Sequence, residues 1–177
     1  MKINTDYHIP VMLQPCLDGL DLQANGTYVD VTFGGGGHAR AIFEQLGPNG
    51  QLVVFDQDPD ARNNAWEAPN FHFVPANFAF LRNYLRALGL SKVDGIIADL
   101  GVSSHQFDTA QRGFSIREDA PLDMRMNRNG GQSAAALIAT ADEQKLASIL
   151  YEYGELRNSR ALAAALIRQR ANAAILT

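Results

Sequence analysis

Apolar residues in this chain gather into short runs separated by stretches of helical spacing, and the alternation is regular as far as Asp99. Residues 27–33 read as a strand, 37–46 as a helix, 52–55 as a second strand and 60–66 as a second helix. A third strand follows at 70–74, then a helix over 78–88 with apolar spacing at Phe78, Leu81, Leu85 and Leu88, then a fourth strand at 93–98. This order predicts an α/β fold built on a parallel sheet covered on both faces. Asp30, Asp56 and Asp99 would gather at the carboxyl ends of strands, or just inside them, where open α/β sheets bind ligands.

Past Asp99 the alternation stops. Residues 101–128 are rich in Ser, Gly, Arg and Asp, with Pro121 and several Met, and a stretch of that length predicts an organised functional loop or lid. Helices then return. Thr140 and Glu143 have capping-box spacing, Leu146, Ile149, Leu150 and Tyr153 form an apolar stripe, and Gly154 suits the stop. A further helix is expected over 159–170, with Ala161, Leu162, Ala165 and Leu166 in its core face. Four strands are fewer than a doubly wound sheet usually has, so either a small domain or a fragment is expected, with apolar surface exposed at an unpaired edge.

Composition narrows the class. The 177 residues are 46% hydrophobic with a net charge of −4, as in a globular protein able to bury a core. No stretch of roughly 18 apolar residues exists, and Met1 to Asp6 lack the charged-then-apolar form of a secretion signal, so a cytoplasmic protein without membrane contact is expected. Cys16 is the sole cysteine, and His8, His38, His72 and His105 are scattered without metal-ligand spacing; no metal site is expected, and incidental roles suit Cys16, His8 and His72. Residues 1–111 carry six Lys or Arg against twelve Asp or Glu, and residues 112–177 nine against seven. That mild basic excess suits a local polyanion-binding face and equally an ordinary solvated surface.

The candidate chemistry begins at Asp30-Val31-Thr32-Phe33-Gly34-Gly35-Gly36-Gly37-His38, four glycines where a strand stops and a helix begins. Glycine lets the backbone turn sharply and approach a ligand, and the first amides of a helix lack internal partners. A flexible loop without ligand is the plainer reading. Asp56, however, ends the next apolar run about 20 residues on, as expected of a carboxylate that grips ribose hydroxyls. The same acid could cap the helix that follows, although Asp58, before Pro59, suits that task better. Gly34, Gly36 and Ala39 also fit a loose dinucleotide fingerprint, whereas the absence of a Lys-Ser or Lys-Thr pair excludes a Walker phosphate loop.

Three segments together are more specific. Thr32-Phe33-Gly34-Gly35-Gly36-Gly37-His38, Asp99-Leu100-Gly101-Val102-Ser103-Ser104-His105-Gln106, and Arg112-Gly113-Phe114-Ser115 leading to Pro121-Leu122-Asp123-Met124-Arg125-Met126 closely resemble the RsmH family, also called MraW. Gly131-Gln132-Ser133-Ala134-Ala135 and Tyr153-Gly154-Glu155 extend the likeness over nearly the whole chain. The resemblance implies an S-adenosyl-L-methionine-dependent methyltransferase acting on a cytosine N4 of small-subunit (16S) ribosomal RNA. It further implies a Rossmann-like class I methyltransferase sheet interrupted after strand four by a helical insertion domain, with the C-terminal strands missing here. On that basis residues 1–108 are the methyltransferase domain, and residues 109–177 the substrate loop and an incomplete insertion. The family's cofactor contacts fall on Gly36, Gly37 and His38 at the loop, Asp56 at the ribose, Phe78 near the adenine, then Asp99 and Gln106. Asp99, the candidate catalytic residue, or a backbone carbonyl of 100–101 that it positions, would accept hydrogen bonds from the cytosine amine or from the cofactor's amino group. Without the resemblance, Phe78 reads as a core helix residue. His105 stands where the family has proline, which frees the turn before Gln106.

Arg112, Arg117, Arg125 and Arg128 are candidates for RNA phosphates, or else for internal pairing with Glu118, Asp119 and Asp123. Two other functions compete. A nicotinamide-dependent oxidoreductase would use the same glycines and Asp56 but gives the later motifs no role, and a noncatalytic module would keep part of the cofactor pocket without the remaining sheet.

Overall fold

A computed structural model describes residues 10–177, so His8 and the first six residues lie outside the described part. It divides into two compact units: residues up to 103 together with 126–129, and residues 104–125 together with 130–177. The first unit holds α1 (Leu13–Leu20), β1 (Thr27–Asp30), α2 (Gly37–Phe43), β2 (Gln51–Phe55), β3 (Phe71–Val74), α3 (Leu81–Ala87) and β4 (Gly95–Ile97). The second holds α4 (Ser104–Asp108), α5 (Ala134–Thr140), α6 (Glu143–Glu152) and α7 (Ser159–Asn172). No helix among the described residues is long and apolar enough to cross a membrane.

All strand pairs are parallel, in the order β3-β2-β1-β4, with Val29 opposite both Val53 and Ile96. Alternation along buried strands sends successive side chains to opposite faces. Tyr28, Leu52, Val54 and Phe71 pack on one side with Leu17, Ala39 and Ile42 from α1 and α2. Val29, Val31, Val53, Phe55 and Val74 pack on the other with Leu85 of α3. Strands β1 to β3 are thus covered on both faces, as their apolar runs required, while Ile96 of the edge strand β4 stays 49% exposed.

Several expected elements are shorter. The helix expected over 60–66 is a 3-10 turn, Pro59–Asn64, capped by Asp58, whose Oδ1 accepts from the Asp60 amide at 3.1 Å. The stretch 78–88 divides into a 3-10 turn, Phe78–Phe80, and α3. That change of pitch alters the phase of the stripe: Leu81 and Leu85 reach the core, while Phe78 and Leu88 remain exposed. β4 begins only at Gly95 because Asp94 is engaged beside it, its Oδ2 accepting from the Thr27 amide and its own amide donating to the Thr27 carbonyl, both at 2.7 Å.

In the second unit Thr140 does not open a helix. It ends α5, a helix absent from the periodicity, and its hydroxyl donates back to the Ala136 carbonyl at 2.9 Å. Asp142 caps α6, accepting from the Lys145 amide at 2.7 Å. The stretch before α5 is tightly tied: Arg112 accepts at its carbonyl from the Met124 amide, and a Cβ on Gly113 would stand 2.5 Å from the Pro121 carbonyl oxygen.

A candidate cofactor site at the carboxyl ends of the strands

The site starts from the end of β1. Asp30 is 2% exposed and ends an otherwise apolar strand. Its Oδ1 accepts from the Thr32 amide at 2.9 Å and the Thr32 hydroxyl at 3.3 Å. The same hydroxyl oxygen accepts from the Asp99 amide at 2.7 Å, so one threonine joins the ends of β1 and β4. Burial pushes the Asp30 carboxyl up to about 6, with the charges of Asp56 and Asp99 adding to the rise and the two Thr32 hydrogen bonds opposing it. Such a group favours any cation brought within its reach.

The glycine run turns through two left-handed residues, Gly34 at φ +49° and Gly36 at φ +77°. The turn closes with the Gly36 amide on the Phe33 carbonyl at 2.7 Å, and a Cβ on Gly36 would press on the Phe33 ring at 3.0 Å. At Gly37 a Cβ would overlap the ring of Pro10. The first helical bond of α2 runs from the Arg40 amide to the Gly36 carbonyl, so the amides of residues 37–39 precede the ladder. His38 is 8% exposed, and its Nε2 has no hydrogen-bond partner among the described residues. A buried imidazole nitrogen in that state stands ready for a ligand.

Asp56 lies just past β2 and steadies this turn. Its Oδ2 accepts from the Gly34 amide at 2.7 Å and its Oδ1 from the Asp58 amide at 2.8 Å, while the Asn64 side chain donates to the Gly34 carbonyl at 2.9 Å. Burial raises the carboxyl above its ordinary value against the pull of the Asp58 and Gly34 amides. The Gln57 amide also faces this carboxylate, which retains acceptor capacity toward a ribose. Helix capping is performed by Asp58 instead. Phe78 is 43% exposed, so core packing does not account for it. Asn77 holds the segment in place: its Oδ1 accepts from the Ala79 amide at 2.8 Å and its Nδ2 donates to Gln57 Oε1 at 3.1 Å, beside Asp56.

The first unit therefore brings the glycine turn, His38, Asp56, Phe78 and the Asp99 backbone to one end of one sheet. Gln106, buried on α4, belongs to the second unit. Of the four candidate phosphate arginines, Arg125 forms a two-pronged pair with Asp123, Nε to Oδ1 at 2.7 Å and Nη2 to Oδ2 at 2.9 Å. Arg112 is buried and donates to the Arg125 carbonyl at 3.0 Å. Both are therefore internal supports. Thr32, Gln57, Asn64 and Asn77 escaped the sequence reading because single polar residues after a strand carry no period. Asp30 had a signal, a carboxylate inside the apolar run 27–33.

A parallel sheet of order 3-2-1-4, with a glycine turn after β1 and a carboxylate after β2, defines an α/β unit of the nucleotide-cofactor-binding class. Residues 5–177 match the MraW methylase family, and the chain belongs to it. It is 52% identical over 176 residues to the Ribosomal RNA small subunit methyltransferase H of Bacteroides thetaiotaomicron, covering 99% of this chain and 58% of that protein. The protein of the same name from Cytophaga hutchinsonii is 54% identical over 168 residues, covering 94% of this chain and 56% of its own length. The chain thus spans under three fifths of these relatives. Among solved structures, a protein-L-isoaspartate O-methyltransferase aligns with a TM-score of 0.43 and 18% identity over 58% of this chain and 33% of its own, a likeness too slight to bear on function.

Proposed function

We propose that this chain carries the cofactor-binding part of an enzyme that transfers a methyl group from S-adenosyl-L-methionine to the exocyclic N4 of a cytosine in small-subunit (16S) ribosomal RNA. The observation that carries the reading is membership of the methylase family, together with the rRNA methyltransferase name of relatives about half identical over nearly the whole chain. The residues present fit that cofactor. It bears positive charge, and the strand ends present three carboxylates, of which Asp30 is pushed up to about 6 by burial and then by the charges of Asp56 and Asp99. The His38 nitrogen, without a hydrogen-bond partner among the described residues, and the close-turned glycines Gly36 and Gly37 suit its methionine part, Asp56 its ribose and the exposed ring of Phe78 its base. Asp99 completes the set within this unit, and Gln106 is assigned by the family resemblance alone. On this division residues 1–108 hold the cofactor and residues 109–177 meet the RNA.

When bound, the cofactor supplies a methyl group on a sulfonium leaving group, so the protein's work is orientation. The glycine turn, pinned at Gly34 by Asp56 and Asn64, fixes the cradle. The cytosine amine is a poor nucleophile because its lone pair is delocalised into the ring. Asp99, or a backbone carbonyl of 100–101 that it positions, accepts a hydrogen bond from that amine, and the Asp99 carboxylate is the group able to take its proton. The tie from the Asp99 amide to Thr32 keeps this segment against the end of β1. The base must be reached in a loop or drawn from its stack.

The test is Asp99→Asn in a protein of the relatives' full length, assayed on small-subunit RNA and on assembled subunits. The methylation rate should fall by about 10²-fold or more. Unchanged rate together with unchanged cofactor affinity would remove Asp99 from the reaction.

A further inference from the structure

Thr32 stands where β1 and β4 part. The Val31 amide donates to the Ile97 carbonyl at 3.0 Å, which carries the parallel ladder one residue past Asp30. A continued ladder would give the next donor, the Asp99 amide, a backbone carbonyl; it goes instead to the Thr32 hydroxyl oxygen at 2.7 Å. Residues 98–101 are exposed, so packing does little to hold them, and the hydroxyl ties their backbone to β1. The hydroxyl proton has its own acceptor, Asp30 Oδ1 at 3.3 Å, which the Thr32 amide also reaches at 2.9 Å. Asp30 Oδ2 takes no hydrogen bond among the described residues. A chain of hydrogen bonds therefore runs from the Asp99 amide through the Thr32 hydroxyl to a buried carboxylate with one oxygen to spare. Each bond in such a chain polarises the next, and a charged end strengthens it. Burial first, and after it the charges of Asp56 and Asp99, oppose ionisation of Asp30, and a cation in the site reverses that balance.

We propose that Thr32 is a positioning residue that passes the arrival of the cofactor's positive charge near Asp30 on to the backbone of Asp99, so that the acceptor of the methyl-transfer step is set in place once the cofactor is bound. The inference rests on the cofactor and Asp99 roles proposed above and adds an order between them, cofactor first and base second. Thr32 acts through its neighbours and need touch neither cofactor nor base. A hydroxyl suits this task because it accepts and donates at once. A backbone carbonyl in its place could accept from Asp99 but would have no proton to give Asp30, so a plain ladder bond would not carry the effect. A passive tie would hold Asp99 equally with and without cofactor. A relay tightens its hold when the cofactor binds.

The test follows hydrogen exchange at the Asp99 amide in the 177-residue chain, free and saturated with S-adenosyl-L-methionine, with cofactor affinity measured by calorimetry on the same preparations. Cofactor should slow that exchange about fivefold in the parent and in Thr32→Ser, which keeps the hydroxyl. In Thr32→Val, which loses it, the change should be less than about twofold. In a protein of the relatives' full length, Thr32→Val should lower kcat about tenfold with the KM for cofactor within about twofold of the parent, and Thr32→Ser should restore the rate. If the parent binds cofactor but Asp99 exchanges at the same rate with and without it, or if Thr32→Val responds like the parent, the relay is overturned and the cofactor reading stands. If the parent binds no cofactor, both fall.

Discussion

Asp30 is the residue whose chemistry departs furthest from its setting. A carboxylate at the end of a buried strand, with two other carboxylates adding their charge, is costly unless a cation arrives. Because its folded value of about 6 lies above the ordinary 3.8, the folded state binds more protons than the unfolded one between these limits, and stability falls as pH rises through that window. Asp30→Asn removes the ionisation but keeps an oxygen to accept from the Thr32 amide. It should raise the unfolding free energy by up to about 3 kcal/mol above pH 6, with the gain vanishing below pH 4, as read from denaturant midpoints across that range. A gain independent of pH would show that ionisation of Asp30 is not its source. The sequence marked this position through an acid within the apolar run 27–33. It did not mark Thr32, whose hydroxyl links β1 to the segment after β4, because a lone threonine past a strand looks like any other loop residue.

Among elements, period and polarity located all four strands and placed the glycine turn and Asp56 at their carboxyl ends, since burial on both faces leaves continuous apolar runs. Pitch was less legible. The phase of 78–88 follows from a 3-10 first turn that spacing does not disclose, and this leaves Phe78 exposed where a regular helix would bury it. Capping was misplaced by two residues because Thr140 and Asp142 both suit a helix start, and only the end of α5 at Thr140 decides between them. Asp142→Ala should therefore cost about 1 kcal/mol of stability by loss of the α6 cap. Thr140→Ala should cost under about 0.5 kcal/mol; equal losses would mean that the two acceptors share the cap. Gly154, expected as the stop of α6, serves close approach there, and Glu155 takes the left-handed conformation.

For the molecule as a whole, the expectation of exposed apolar surface is matched at the open edge, where Ile96 of β4 and Leu100 beyond it remain exposed. The central claim is that one end of this sheet is built for a cationic, ribose-bearing methyl donor. Titration calorimetry of the 177-residue chain with S-adenosyl-L-methionine, and separately with NAD, tests it most directly. Saturable binding of S-adenosyl-L-methionine that weakens at least tenfold in Asp56→Ala, a loss in keeping with removing a charged acceptor from two hydroxyls, is the expected result. Binding of NAD instead, or an affinity for S-adenosyl-L-methionine unchanged by Asp56→Ala, would contradict it.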